Sequence, residues 1–116
     1  MKTVIATIKP FQLDQVKDAL LELGHRDLKV IECKAYAGRH TEIYRGAEYA
    51  VDYLPKVDVI VIVHESEVDR VVGAISQSAK TGREGDGWIA VNPTEQLWDI
   101  GTGRDETGLA QGAATA

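Results

Sequence analysis

Residues 37–57 read AGRHTEIYRGAEYAVDYLPKV and concentrate groups able to do chemistry. Arg39 and Arg45, the carboxylates of Glu42, Glu48 and Asp52, His40, and the tyrosines Tyr44, Tyr49 and Tyr53 fall in this one stretch. Mixed charge and aromatic rings in the open suit docking on another macromolecule. A second stretch, TGREGDG from Thr81 to Gly87, has the glycines that let a backbone approach a phosphate. It follows a helix pattern, whereas phosphate cradles precede one, so taken alone it reads as a turn. Glu84 and Asp86 are candidate bases for hydrolysis by position, but no nucleophile–base pair accompanies them, and no catalytic residue is assigned. His25, His40 and His64 do not share metal-ligand spacing, so no metal site is expected. Cys33 lies mid-strand and reads as a small core residue.

The elements that position these stretches follow from hydrophobic period. TVIATI (Thr3–Ile8) is a short β-branched strand ended by Pro10. Leu13, Val16, Leu20 and Leu23 make the stripe of an amphipathic helix, with Gly24 placed to end it. LKVIECKAY (Leu28–Tyr36) alternates imperfectly as a second strand, and KVDVIVIV (Lys56–Val63) is near-continuously apolar, as a central strand is. Between them lies a loop expected over residues 38–54; connections of that length in compact domains are usually functional or disordered. Ser66 opens a second helix as N-cap in SEVD, and Val68, Val71, Val72, Ile75 and Ala79 are its apolar stripe. WIAV (Trp88–Val91) is a fourth strand, residues 92–108 read as irregular, and 109–116 as a flexible tail. The order βαββαβ defines an α+β, ferredoxin-like sandwich with both helices on one sheet face. The chain has nothing left to cover the other face, which is therefore expected to meet another copy.

At 116 residues, 44% hydrophobic and 27% charged, the chain has the size and make-up of one domain, placed at residues 1–108. A net charge of −5 and a pI near 5.1 argue against general affinity for nucleic acid or an anionic membrane surface. No apolar run approaches the ~18 residues of a membrane span, so no membrane insertion is expected. The opening MKTVIATIKPF is too short for a signal peptide, and the single cysteine forms no internal disulfide; a cytoplasmic location is expected.

The hexapeptide YRGAEY (Tyr44–Tyr49), inside HTEIYRGAEY and followed by LPKV (Leu54–Val57), resembles the T-loop of the PII signal-transduction family. IKPFQLDQVKDAL, VDRVVGAI and TGREGDG are similar to that family in the same order, and the resemblance covers roughly residues 1–103. It implies a homotrimer with ligand clefts between subunits, and signalling rather than catalysis. It also implies that adenine nucleotide and 2-oxoglutarate set the loop conformation, and that the loop docks on a membrane transporter or metabolic enzyme through Tyr44, Arg45, Glu48 and Tyr49. Tyr49 matches the position uridylylated in some members. Nucleotide contacts are implied for Ala35, Tyr36, Ala37, Gly38, Arg39, Lys56, Ile62, Gly85, Asp86 and Gly87. Trp88 either stacks on an adenine or serves a core or interface.

The departures from the family pattern gather at the cleft. Ala35 and Ala37 replace the glycines of a GFGRQ-type segment, the loop is two residues shorter, and its glutamine has no counterpart. Trp88 stands where a basic residue follows GDG, and Asp99 and Gly101 stand where RIRTG carries arginines. Each charge-assisted hydrogen bond to phosphate contributes roughly 1.5–3 kcal/mol, so losing two weakens a triphosphate by on the order of 10²-fold. Lys56 remains, with Arg39, Arg83 and Arg104 as further anion-binding candidates. The expectation is a divergent PII-like member that favours ADP or AMP over ATP, takes a small anion such as bicarbonate, and gains little from magnesium and 2-oxoglutarate. An ordinary nitrogen-regulatory protein sensing Mg-ATP and 2-oxoglutarate is the alternative; a nucleotide hydrolase and a purely structural trimer are rivals of other classes.

Overall fold

The computed structural model describes residues 1–109 apart from 45 and 84, with the backbone alone for 37–44, 47–52 and 109. Six main elements run β1 (Lys2–Ile8), α1 (Leu13–Glu22), β2 (Lys29–Tyr44), β3 (Ala47–Val63), α2 (Val68–Ala79) and β4 (Gly87–Pro93). They follow the order read from the sequence, and the expected fluctuation of period from 2 to 3.6 marks each change of element.

The sheet is antiparallel with strand order β2-β3-β1-β4, so the two most apolar strands are central. Alternation sends Val4, Ala6 and Ile8 of β1, and Val57, Val59, Val61 and Val63 of β3, to the helix side. Val16 and Leu20 of α1 and Val71, Ile75 and Ala79 of α2 close on them. Burying one such aliphatic side chain contributes about 1.5–3 kcal/mol. The opposite face carries Ile5 against Ile60, Thr3 against Ile62, and Thr7 against both Asp58 and Trp88. No described element covers it, and Ile31 and Trp88 are 45% and 66% exposed there.

Gly24 ends α1 as expected: at φ 91° it occupies a region costly for other residues, and His25 N then donates to Leu20 O at 3.0 Å. Ser66, however, does not cap α2. It sits in a 3-10 turn, Glu65–Glu67, and its amide donates to His64 Nδ1 at 3.1 Å. The turn takes up the first free amides, and α2 then starts at Val68 without a side-chain cap.

Two connections are more ordered than the sequence suggests. The loop expected over 38–54 is an extension of β2 and β3 as a two-stranded ribbon, paired from His40 opposite Val51 to Tyr44 opposite Ala47. Gly46, at φ 77°, completes its turn. In this stretch β2 and β3 pair with each other alone, and β-branched and aromatic residues suffice for such a ribbon without strict alternation. Residues 97–107, read as irregular, form a small hairpin. Asp99 N donates to Arg104 O at 2.9 Å, Gly103 N to Asp99 O at 2.9 Å, and Glu106 N to Leu97 O at 2.7 Å. The tail beyond residue 109 lies outside the described residues.

Candidate ligand site

Lys56 lies where β3 leaves the body. It pairs opposite Cys33 of β2, one residue beyond the last pairing of β3 with β1, Val57 with Ile8. The side chain is buried, and Nζ donates to the Gly85 carbonyl at 2.7 Å. No described carboxylate forms an ion pair with it. A buried ammonium held by a neutral carbonyl leaves its charge uncompensated, which favours an anion beside it. An open cavity of about 450 Å³ adjoins it, bounded by Pro10, Glu32, Cys33, Lys34, Pro55 and Lys56.

Cys33 corrects the core reading. Its pairing with Lys56 puts it on the face turned from the helices, half-buried, with Sγ donating to Asp58 Oδ1 at 3.7 Å. Burial and the neighbouring Asp58 carboxylate push its thiol up, so it stays protonated.

The loop from Thr81 to Gly87 is organised around Asp86. That carboxylate accepts Thr81 N at 2.9 Å and Gly82 N at 3.0 Å, takes the Thr81 hydroxyl, and pairs with Lys9 Nζ at 3.2 Å. These bonds, led by the Thr81 hydroxyl, hold its pKa well below the carboxylate range. A carboxylate so engaged is a weak general base, which removes the physical basis for Asp86-driven hydrolysis. Gly85 needs its φ of 85°, and Gly87 is required by a neighbour: a Cβ there would lie 1.9 Å from Thr7 O. Each glycine thus has a backbone reason independent of any ligand. Lys9 escaped the sequence reading; its place just after β1, before Pro10, was the available signal.

Ala35 pairs with Leu54, and Tyr36 with Tyr53; the two tyrosine rings meet edge to face, centroids 5.5 Å apart at 72°. Just beyond, β2 breaks register between Tyr36 and His40, the segment that holds Ala37, Gly38 and Arg39. The side chains of Ala37, Arg39, Tyr44, Glu48 and Tyr49, and all of Arg45 and Glu84, lie outside the described residues. Arg83 is exposed, its amide donating to Thr81 Oγ1 at 3.2 Å.

The remaining candidates stand elsewhere. Ile62 pairs with Thr3, near the far end of β3 from Lys56, about 20 Å away at the usual strand rise. Arg104 belongs to the hairpin beyond Pro93, the end of β4 opposite to Gly87. One chain therefore gathers Lys56, Gly85–Gly87, Ala35 and Tyr36 at one end of the sheet, and Ile62 and Arg104 at the other. Asp99 is used locally: Oδ1 accepts Thr102 N at 2.8 Å within its own turn. Trp88 is no core residue, lying exposed on the helix-free face. Among the described residues no group of three or more His, Cys, Asp or Glu could hold a metal ion, and no helix is long and apolar enough to cross a membrane.

Strand order, register and the two helices on one face define an α+β protein of the ferredoxin-like class. Comparison with known proteins narrows this. The family model described as nitrogen regulatory protein P-II matches residues 1–104. Proteins of that name from Azospirillum brasilense and Rhizobium meliloti are 51% and 50% identical, over 89% and 94% of this chain and 94% and 97% of theirs. One from Rhodospirillum rubrum is 49% identical over 89% of this chain and 94% of its own. The chain belongs to the P-II family of nitrogen-regulatory signalling proteins.

Proposed function

We propose that this protein is a cytoplasmic nitrogen-regulatory signal carrier. It assembles as a homotrimer, takes an adenine nucleotide between subunits, and passes occupancy through the β2–β3 ribbon to a transporter or metabolic enzyme. The observation that carries this reading is about 50% identity, over nearly the whole chain, to proteins named for nitrogen regulation. That supports the ordinary sensor of Mg-ATP and 2-oxoglutarate over the divergent, inorganic-carbon reading. The division of candidate residues between two ends of the sheet supports a site completed by a second subunit. Tyr49 is the proposed acceptor where the protein is modified.

A second reading keeps its own observation. The residues at the two arginine positions, Asp99 and Gly101, supply no cation, and Asp99 is spent on its turn. On this reading ADP or AMP binds at least as tightly as ATP, with bicarbonate or another small anion beside Lys56. Calorimetric titration with ATP, ADP and AMP, with and without magnesium and 2-oxoglutarate, separates the two. The ordinary reading expects Mg-ATP preference sharpened by 2-oxoglutarate. Equal or tighter ADP binding, unmoved by 2-oxoglutarate, selects the second, and no nucleotide binding at all removes both.

A further inference from the structure

His25 is a titratable side chain buried where no described group answers it. It is 0% exposed, and neither ring nitrogen has a hydrogen-bond partner within the protein. A neutral imidazole carries one donor and one acceptor, and an imidazolium carries two donors. Either form leaves two polar atoms unmet here, but the imidazolium also buries a charge, which costs far more. Burial, the largest influence on the ring, disfavours its charged form; Glu67 in the 3-10 turn opposes that and Arg70 of α2 adds to it. These are the charged groups that bear on the ring from the elements around it. They are paired with each other, Arg70 Nη1 to Glu67 Oε2 at 3.1 Å, so the carboxylate is already engaged. Arg26 and Asp27, next in the chain, have interactions of their own.

The segments on both sides of the ring are short and lightly held. Gly24 to Leu28 belong to no helix or strand, and are tied to α1 by Gly24 N donating to Leu21 O and His25 N to Leu20 O, both at 3.0 Å. On the α2 side, the 3-10 turn hangs on His64: Ser66 N donates to its Nδ1 at 3.1 Å and Glu67 N to its carbonyl at 2.9 Å. Such segments open locally at less cost than a paired sheet. We propose that this seam, residues 24–28 against 64–67, is a proton-operated latch, opening as a unit when His25 takes up a proton while β1 and β3 stay paired. Opening brings the imidazolium to water, which satisfies both its donors. The neutral ring keeps the seam shut. Acidity thereby acts on the end of the sheet away from Lys56, since His64 directly follows Val63, the partner of Lys2.

Amide exchange between pH 7.5 and pH 5, expressed as protection against the intrinsic rate at each pH, tests the latch. An open state whose imidazole titrates near about 6.5 gains about thirtyfold in population over that range, relative to a closed state that stays neutral. Protection at Gly24, His25 and Glu67 should therefore fall by about ten- to thirtyfold, and should stay below that of Val59 and Val61 throughout. Thr81 and Gly82, whose amides are held by Asp86, should keep theirs. His25→Leu and His25→Gln do not titrate, and both should abolish the fall at these positions. The glutamine substitution keeps a polar side chain there, so it separates titration from the burial of a polar group. Flat protection in the unsubstituted protein, or the same fall in both variants, overturns the latch. So does protection at Gly24, His25 and Glu67 equal to that at Val59 and Val61, which would mean that the seam opens only with the whole fold.

Discussion

At the scale of single residues, His25 and Lys56 are the buried polar groups with most to reveal. His25 is fully buried between the end of α1 and the start of α2, and neither ring nitrogen has a hydrogen-bond partner. Burial lowers its pKa from 6.5; Glu67 opposes that shift and Arg70 adds to it. The unfolded chain therefore takes up the proton first as pH falls. The stability this group contributes is complete above about pH 6.5 and is lost progressively below it. Melting temperature should drop between pH 7.5 and 5, and His25→Leu should flatten that part of the profile; an equal drop in the variant would show that other groups cause it. For Lys56→Ala, losing the charged contact should weaken anion binding by roughly 1.5–3 kcal/mol in a calorimetric titration, and unchanged affinity would place the anion elsewhere.

Among the elements, the β2–β3 ribbon stands apart. β1 stops at Ile8 opposite Val57, and beyond it the two long strands pair only with each other. A two-stranded ribbon on its own is marginal in water. Amides at residues 40–51 should exchange at least on the order of 10²-fold faster than those of Val59 and Val61. Equal protection would count against a ribbon that changes state on signalling. The Tyr36–Tyr53 ring pair should contribute about 0.5–1.5 kcal/mol at the base, so Tyr53→Ala should speed exchange at Ala35 and Tyr36. Element order and both helices were legible because Val16, Leu20, Val71 and Ile75 repeat with the helical period against one core. The ribbon and the residue 97–107 hairpin were not, because what defines them is cross-strand backbone bonding, which leaves no hydrophobic period in the sequence. In the hairpin the available signal was an aspartate followed by glycines, a turn composition that Asp99 and Gly103 use. At the candidate site, the motif singled out Lys56 without showing its surroundings. Its bond to Gly85 joins residues far apart in sequence and could be seen only in three dimensions.

For the whole molecule, the helix-free sheet face sets the main expectation. Ile5, Ile60 and Ile62 are only partly buried there, beside exposed Ile31 and Trp88. Such a surface resembles half of an obligate interface. Light scattering should find a trimer at micromolar concentration, and Ile60→Asp should shift it toward monomer. A monomer without substitution would remove the assembly on which the two-ended site depends. With extents of 56 × 27 × 20 Å, the protein is elongated.

If an anion binds beside Lys56 as proposed, the bond from Lys56 to Gly85 also gives the glycine-rich segment a part in sensing it. An ammonium has three hydrogens, so one can remain on Gly85 O while another meets an arriving anion. The cation is then a shared hub, and anything that steadies it steadies the segment that Asp86 braces. Linkage requires this to run both ways: occupancy slows opening of the segment, and loosening the segment lowers affinity by the same factor. Thr81 and Gly82, whose amides rest on Asp86, become reporters of a molecule they need not touch. Their hydrogen exchange should slow when ligand is added, and Asp86→Asn should lower affinity while speeding that exchange. Exchange at both amides that ignores the ligand would show that the hub transmits nothing.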